Sequence, residues 1–256
     1  MAQPRRRGAL RVVCIGAVAA AIATGCAPAD QQDQLTVFAA SSLRTAFDDI
    51  AKDFESAYPQ TAVNLNFTGS SDLLDRIKDG APADVFATET EEVMWLALDA
   101  ELIDDPQAFA RNELVIIVPN VDDVDVSDID DVIDSGTPVA SCASETSCGT
   151  IAQRLARRAG FAIDQDVQER SATEVLNRVL DGSAVAGLVY RTDALSAGEQ
   201  VRIIELPFSA TTVNMIGIVE SSQSQPLARA FTDFVTSPQG QRALERAGFS
   251  TATQDS

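Results

Sequence analysis

Residues 35–43 read LTVFAASSL, an apolar run that leads directly into two serines. Residues 35–40 are short, apolar and partly β-branched, which predicts a buried strand. From Leu43 to Tyr58 the apolar residues recur at helical spacing, so Ser41 and Ser42 occupy the position of a helix N-cap. The stretch therefore predicts a strand that passes directly into a helix, with hydroxyl side chains at the junction.

A second junction of this kind follows. Residues 61–67 (TAVNLNF) alternate apolar and polar side chains as a strand does, and residues 68–71 (TGSS) precede a short predicted helix. The alternation continues, with strands predicted at 84–87, 114–119, 138–141, 185–190 and 211–219 and helices at 149–159, 172–180, 225–235 and 237–247. Repeated strand–helix units predict an α/β fold with a mainly parallel sheet flanked by helices. Ligands of such sheets bind beyond the carboxyl ends of the strands, at helix N-termini.

The composition is acidic and lacks histidine. Of 256 residues, 19 are Lys or Arg, 38 are Asp or Glu and none is His, for a net charge of −19. Residues 1–25 hold four arginines and no acid, so the remainder carries 15 basic against 38 acidic residues, or −23. Such a chain repels nucleic acid and anionic lipid. Without histidine, Ser-His-Asp and Cys-His nucleophiles and His-ligated zinc are excluded, which predicts no enzyme activity and no cofactor.

The N-terminus has the features of an export signal. Arginines precede an uncharged apolar run at 12–23, which is shorter than the roughly 20 residues of a membrane-spanning helix. Residues 23–26 (ATGC) resemble a bacterial lipobox, so residues 1–25 are expected to be a signal peptide and 26–33 a tether with a lipid on Cys26. Ordinary cleavage nearby, with Cys26 unmodified, is the alternative. Either way the chain is expected on the outer side of the cell membrane.

Two of the remaining cysteines lie close together. Cys142 and Cys148 fall within SCASETSCG, and disulfides persist in exported proteins, which favours a local disulfide over two free thiols. Two thiols without histidine are too few for a metal site. The acidic run at 122–134 lacks the glycine and terminal glutamate of an EF-hand loop, so a helix with an exposed acidic face is expected there and no site for a bare cation.

The two hydroxyl-bearing junctions predict a site for an oxyanion. Each serine taken singly is an ordinary N-cap, but a helix N-terminus also offers unpaired N–H groups and partial positive charge, and serine adds a neutral O–H donor. An acidic protein can use these donors because they need no Lys or Arg. A serine-dependent hydrolase at Ser41 and Ser42 is an alternative from another class, although the chain has no His and the junction has no Lys to act as its base. An adhesive envelope lipoprotein is a third, and it would leave both junctions unexplained.

The sequence resembles the solute-binding proteins of molybdate ABC transporters. The matching segments run in order from Leu35 to Phe249: LTVFAASSL, NFTGSSDL, GAPADVFA, ELIDDP, FARNELVIIVP, Cys148-Gly149 before a helix, GLVY and SPQGQRALERAGF. The resemblance implies a two-lobed periplasmic-binding-protein fold of type II. Lobe 1 would comprise residues 34–117 plus 217–256 and lobe 2 residues 118–216, with 114–119 and 211–219 as crossing strands and the ligand in the cleft between lobes.

The resemblance also implies the ligand set. Hydroxyls of Ser42, Ser70 and Tyr190 and backbone N–H groups of Cys148 and Ala172 would hold molybdate or tungstate for delivery to a membrane permease. This chain has Ser-Cys-Gly at 147–149 where many relatives have Pro-Ala-Gly, and Ser-Ala-Thr at 171–173 where they have Asn-Val-Arg. Molybdenum would be present only within the oxyanion, the protein would be a monomer, and the lipid would be its sole membrane contact. A sulfate-binding protein is the alternative within the class.

If the site contains only hydrogen-bond donors, two further properties are expected. It would accept a deprotonated dianion and reject protonated phosphate, whose O–H would lack an acceptor. Binding would also be independent of pH from neutrality upward until Tyr190 ionises.

Overall fold

A computed structural model describes residues 32–121 and 126–252. The predicted signal peptide and Cys26 lie outside this part of the chain. Within it, no helix combines the length and apolar character needed to cross a membrane.

The described chain alternates strands and helices as predicted. The strands are β1 Asp33–Ala40, β2 Thr61–Thr68, β3 Val85–Thr88, β4 Ile103–Pro119, β5 Val139–Cys142, β6 Ile163–Glu169, β7 Ala186–Tyr190, β8 Val201–Ile204, β9 Thr211–Val219 and β10 Ser250–Thr251. The helices are α1 Arg44–Ala57, α2 Ser70–Lys78, α3 Glu91–Asp99, α4 Ile129–Asp134, α5 Ser147–Ala159, α6 Ala172–Leu180, α7 Arg191–Ala197, α8 Gln225–Thr236 and α9 Pro238–Arg246. Short 3-10 turns occupy Ser41–Leu43 and Gly198–Gln200.

The strands form a mixed sheet in the order β2-β1-β3-β9-β4-β7-β5-β6, with β8 and β10 also paired to β4. The predicted parallel units are present at the two ends of the strand order. Strand β1 is parallel to β2 and β3, and β5 is parallel to β6 and β7. Between these units, β9 and β4 run antiparallel to their neighbours. The fold is therefore the expected α/β class, with a sheet flanked by helices.

The long strand β4 links two regions of the sheet. Its residues from Ile103 to Glu113 pair with β9, whereas the pairing with β7 begins at Leu114. Two hydrophobic clusters draw on residues 35–110 and 215–249, and a third draws on residues 114–210. The lobe bounds predicted from the resemblance stay a prediction.

The junction after β1 differs from the predicted serine N-cap. Ser41, Ser42 and Leu43 form one 3-10 turn, and α1 begins at Arg44 without a side-chain cap. The N–H of Arg44 donates to Ser41 O, so the turn itself supplies the acceptor that a capping side chain would provide. Ser42 Oγ is consequently left unused by the helix backbone.

Candidate functional site

The five predicted ligand residues come from five separate elements. Ser42 lies in the 3-10 turn after β1, Ser70 is the first residue of α2, Cys148 lies in the first turn of α5, Ala172 begins α6 and Tyr190 ends β7. Their exposed fractions are 8%, 0%, 2%, 4% and 1%, respectively. The predicted donors are therefore enclosed within the protein.

Contacts between loops connect these elements. The 3-10 turn packs against α6 and α7, and Thr192 Oγ1 donates to Ser42 O at 3.5 Å. The N–H of Ser147 donates to Ser71 Oγ at 3.1 Å, which joins the start of α5 to the start of α2. The junctions before α2 and α6 also touch, since a Cβ at Gly69 would lie 2.5 Å from Arg170 O. The structure thus joins the elements carrying all five residues through a series of contacts, while their role as ligands stays a prediction.

Two hydroxyls of this group lack a well-formed hydrogen bond among the described residues. Ser42 Oγ and Tyr190 Oη are buried without one. The side chain of Thr212 lies close enough to the Tyr190 phenol to lower its pKa, but by less than burial raises it. Burial raises the pKa of the Tyr190 phenol well above its ordinary value, and the negative charges of Glu89 and Asp193 raise it further. The phenol is therefore a protonated donor at any physiological pH. An unpaired buried hydroxyl costs about 1–3 kcal/mol, which a ligand that accepts from it would recover.

Ser70 has a different environment. Its hydroxyl donates to Glu89 Oε2, and the N–H of Glu89 donates back to Ser70 Oγ at 3.1 Å. The other carboxyl oxygen, Oε1, accepts from Ser147 Oγ at 2.7 Å. Burial raises the pKa of the Glu89 carboxyl, while the hydrogen bonds from Ser70 and Ser147 lower it by less. The hydroxyl predicted to bind the oxyanion is thus occupied by a carboxyl group of the protein itself.

The disulfide predicted between Cys142 and Cys148 is confirmed, with the Cα atoms 5.7 Å apart. It ties the end of β5 to the first turn of α5, where Thr146 Oγ1 caps the helix by accepting from the N–H of Gly149 at 3.1 Å. A Cβ at position 149 would overlap Ala143 O, so only glycine allows this close approach. The first turn of α5 is therefore held by the disulfide, by the Thr146 cap and by the close packing of Gly149 against Ala143.

Ala172 begins α6 behind a capping serine. Ser171 Oγ accepts from the N–H of Glu174 at 3.2 Å. The next residue, Thr173, donates through Oγ1 to Asp193 Oδ1 at 2.7 Å, while Asp193 Oδ2 is buried without a partner. Burial raises the pKa of Asp193 from 3.8 to about 7, because the Thr173 hydrogen bond offsets only part of the desolvation. Thr173, where the resemblance implied an arginine in relatives, thus donates a hydroxyl to this carboxyl group.

The structure corrects the prediction that donors alone form the site. Glu89 contacts Ser70 directly, and the charges of Glu89 and Asp193 both act on Tyr190. Sequence reasoning missed Glu89 because it is one of several acids in an acidic stretch. Its position after the carboxyl end of β3, matching Ser42 after β1, was the signal that could have found it. Rejection of protonated phosphate no longer follows, because Glu89 offers an acceptor for its O–H.

A groove lies beside the enclosed residues. One cavity of about 250 Å³ and a second of about 260 Å³ share Glu92, Ile151 and Arg154 in their linings. Ser71 and Ser147 line the first, whereas none of the five predicted ligand residues lines either. The groove therefore lies between α3 and α5, next to Ser71 and Ser147, which adjoin the predicted ligand residues Ser70 and Cys148 in sequence.

The predicted donors come from both regions of the α/β sheet and are enclosed by the protein, as expected for a class of proteins that bind a small solute between two regions of a sheet. The chain belongs to the bacterial extracellular solute-binding protein family, whose model matches residues 35–250.

Individual relatives support this membership. The chain is 36% identical over 225 residues to the molybdate-binding protein ModA of Mycobacterium tuberculosis (strain ATCC 25618 / H37Rv), covering 87% of this chain and 86% of the relative. The periplasmic molybdate-binding protein of Azotobacter vinelandii superposes with a TM-score of 0.73 at 16% identity, over 87% of this chain and 100% of that one. The sulfate-binding protein SubI of Mycobacterium tuberculosis H37Rv gives 0.75 at 18% identity, over 85% and 86%. At these identities the two structures show the fold alone.

Proposed function

We propose that this protein captures molybdate or tungstate outside the cell membrane and delivers it to the permease of an ABC transporter. The observation that supports the proposal is that the hydroxyls of Ser42 and Tyr190 are buried without a well-formed hydrogen bond, so both would be available to donate to a bound anion. The 36% identity to ModA of Mycobacterium tuberculosis supports the choice of anion. The protein would bind the anion without chemistry on it and without a cofactor.

The donor chemistry suits a dianion. Ser42 and Tyr190 would donate O–H groups, and the N-termini of α5 and α6 would direct the N–H groups of Cys148 and Ala172 toward the same space, where helix dipoles favour negative charge. No Lys or Arg is needed, which agrees with a charge of −19 on the whole chain. Ser70 would join this set once its bond to Glu89 is released.

Sulfate is the second candidate ligand. The likeness of the fold to SubI favours keeping it in the test. Sulfate has the same charge and shape as molybdate but is smaller, so donors spaced for molybdate would not all reach it. The distances between the donors would therefore determine whether molybdate or sulfate binds more tightly.

We further propose that the mature protein is a monomer anchored by a lipid on Cys26. The lipobox-like residues 23–26 and the polar tether that follows support the anchor. Mass spectrometry of the mature N-terminus would show a lipidated Cys26, and an unmodified cysteine there would refute the anchor.

The binding proposal is tested by removing one unpaired hydroxyl at a time. Tyr190→Phe and Ser42→Ala should each weaken molybdate binding by about ten- to a hundredfold in calorimetry, as expected for a lost hydrogen bond to a charged ligand at about 1.5–3 kcal/mol. Tyr58→Phe is the matched control, because Tyr58 is the other tyrosine of the chain and is 42% exposed. Unchanged affinity in Tyr190→Phe and Ser42→Ala would refute the proposed site.

A further inference from the structure

Glu89 lies between the N-termini of two helices. It follows β3, is 3% exposed, and bridges Ser70 at the start of α2 to Ser147 at the start of α5. Both hydroxyls act as its donors. A carboxyl group of the protein thus already occupies a position where two helix N-termini would favour an anion.

The carboxyl group of Glu89 has hydrogen-bond donors but no cationic partner among the described residues. Glu89 takes part in none of the ion pairs of the described chain, in which acids pair with exposed or half-buried arginines and lysines. The charge of Glu89 acts on Tyr190 of β7 and Asp193 of α7, the Glu92 charge of α3 also acts on Tyr190, and none of these groups is a cation. Arg154 on α5 lies in the adjoining groove with Glu92. Burial accordingly raises the pKa of Glu89.

A bound dianion would conflict with an ionised Glu89. The anion needs the hydroxyl of Ser70, which Glu89 holds as an acceptor, and it would bring two further negative charges close to the carboxylate in a poorly solvated space. Protonation removes both conflicts, since a neutral carboxylic acid repels the anion far less and becomes an O–H donor itself.

We propose that Glu89 takes up one proton from solvent when the oxyanion binds, so that the site captures a dianion together with a proton. The inference rests on the proposed function, because it concerns the same anion site. Ser70 Oγ then turns from Glu89 to the anion, and Glu89 supplies an O–H donor in its place. Asp193 is the less suitable proton acceptor, because its contact is with Thr173, whereas Glu89 contacts a predicted ligand residue.

The consequence is a pH-dependent affinity in a protein without histidine. Above the pKa of Glu89 in the free protein, the dissociation constant for molybdate should rise by up to about tenfold per pH unit, because one proton must be taken up for each anion bound. Glu89→Gln carries a permanently neutral amide of similar shape. Its dissociation constant should change less than twofold between pH 7 and pH 8.5.

The experiment is calorimetric titration of molybdate into the mature protein at several pH values, in two buffers of different ionisation enthalpy that contain no oxyanion. The wild type should take up close to one proton per anion over the pH range in which its dissociation constant rises, and Glu89→Gln should take up none. Glu92→Gln, the matched control, makes the same change of charge beside the groove and should behave as the wild type. Asp193→Asn should keep the proton uptake.

Several results would overturn the proposal. Tight molybdate binding by the wild type without proton uptake would refute proton capture while leaving the proposed function intact. Loss of uptake in Asp193→Asn, but not in Glu89→Gln, would assign the proton to the other carboxyl. If Glu89→Gln is folded by circular dichroism yet does not bind, Glu89→Ala should bind without pH dependence, and persistent uptake in that variant would refute the role of Glu89. Absence of binding by the wild type would refute the proposed function itself, together with the proposal that rests on it.

Discussion

Thr173 Oγ1 donates a 2.7 Å hydrogen bond to Asp193 Oδ1, which joins the first turn of α6 to the first turn of α7. A neutral hydroxyl thus donates to a buried carboxyl group whose second oxygen has no well-formed hydrogen bond in the described chain. One hydroxyl compensates poorly for the lost hydration of a carboxylate. This buried carboxyl group should affect both the stability of the fold and ligand binding, because α6 begins at the predicted donor Ala172 and α7 directly follows the predicted donor Tyr190.

Asp193 should make the ligand-free protein less stable as pH rises. Its pKa is raised from 3.8 to about 7 in the folded state, so the folded state holds an extra proton between these values. The stabilisation is complete below pH 4 and is lost as pH rises through about 7, with a ceiling of roughly 4 kcal/mol at about 1.4 kcal/mol per factor of ten. Asp193→Asn should flatten the dependence of the melting temperature on pH across this window.

The control for this measurement is Asp233→Asn, which changes an exposed carboxylate on α8 by the same charge. It should leave the slope of the wild type unchanged. Equal slopes in Asp193→Asn and the wild type would contradict a buried Asp193 that titrates near neutrality.

Reduction of the Cys142–Cys148 disulfide should weaken anion binding. The bridge spans a sequence separation of 6 and holds the first turn of α5, which presents the N–H of Cys148. Freeing that turn adds an ordering cost to binding, so the dissociation constant for molybdate should rise by roughly three- to tenfold. Isothermal titration of the wild type with and without reductant measures this effect, and the Cys142→Ser, Cys148→Ser double variant, which should be insensitive to reductant, controls for the reductant itself. Identical affinities for oxidised and reduced wild type would show that the bridge does not preorganise the site.

Gly69→Ala should separate two junctions that now touch. The added Cβ would lie 2.5 Å from Arg170 O, well inside van der Waals contact, so residues 68–71 and 170–172 must move apart. These residues carry Ser70 and Ala172, and a displacement of about 1 Å should cost tenfold or more in molybdate affinity. Calorimetry of the variant, with its melting temperature measured alongside, tests the prediction. Wild-type affinity in a folded Gly69→Ala protein would show that this close approach does not serve binding.

Much of the architecture could be predicted from the sequence, because its strands and helices have clear apolar periodicity. Helix α6 begins and ends at the predicted residues, and β1, β2 and β9 lie where expected. Strand β6 was missed because it pairs only with β5 at the edge of the sheet and reads IDQDVQE, with no buried residue to produce a pattern. The predicted lobe bounds stay a prediction.

The candidate site could be predicted only in part. Its neutral donors are detectable because Ser42, Ser70 and Tyr190 directly follow or end apolar strands. Glu89 and Asp193 are not, because in a chain with 38 acidic residues most carboxylates are solvated and the sequence does not mark the buried ones. Burial of these two depends on contacts between segments distant in sequence, such as Glu89 with Ser147. The carboxyl groups that set the pH response are therefore the part that required a structure.

The central claim is that these donors select the larger oxyanion, and competition between molybdate and sulfate tests it most directly. Calorimetric titration of molybdate into the mature protein, alone and in the presence of saturating sulfate, gives both dissociation constants under identical conditions. Molybdate should bind at least about tenfold more tightly than sulfate, a difference of about 1.4 kcal/mol. Sulfate binding as tightly as molybdate, or more tightly, would contradict the claim and assign the protein to sulfate.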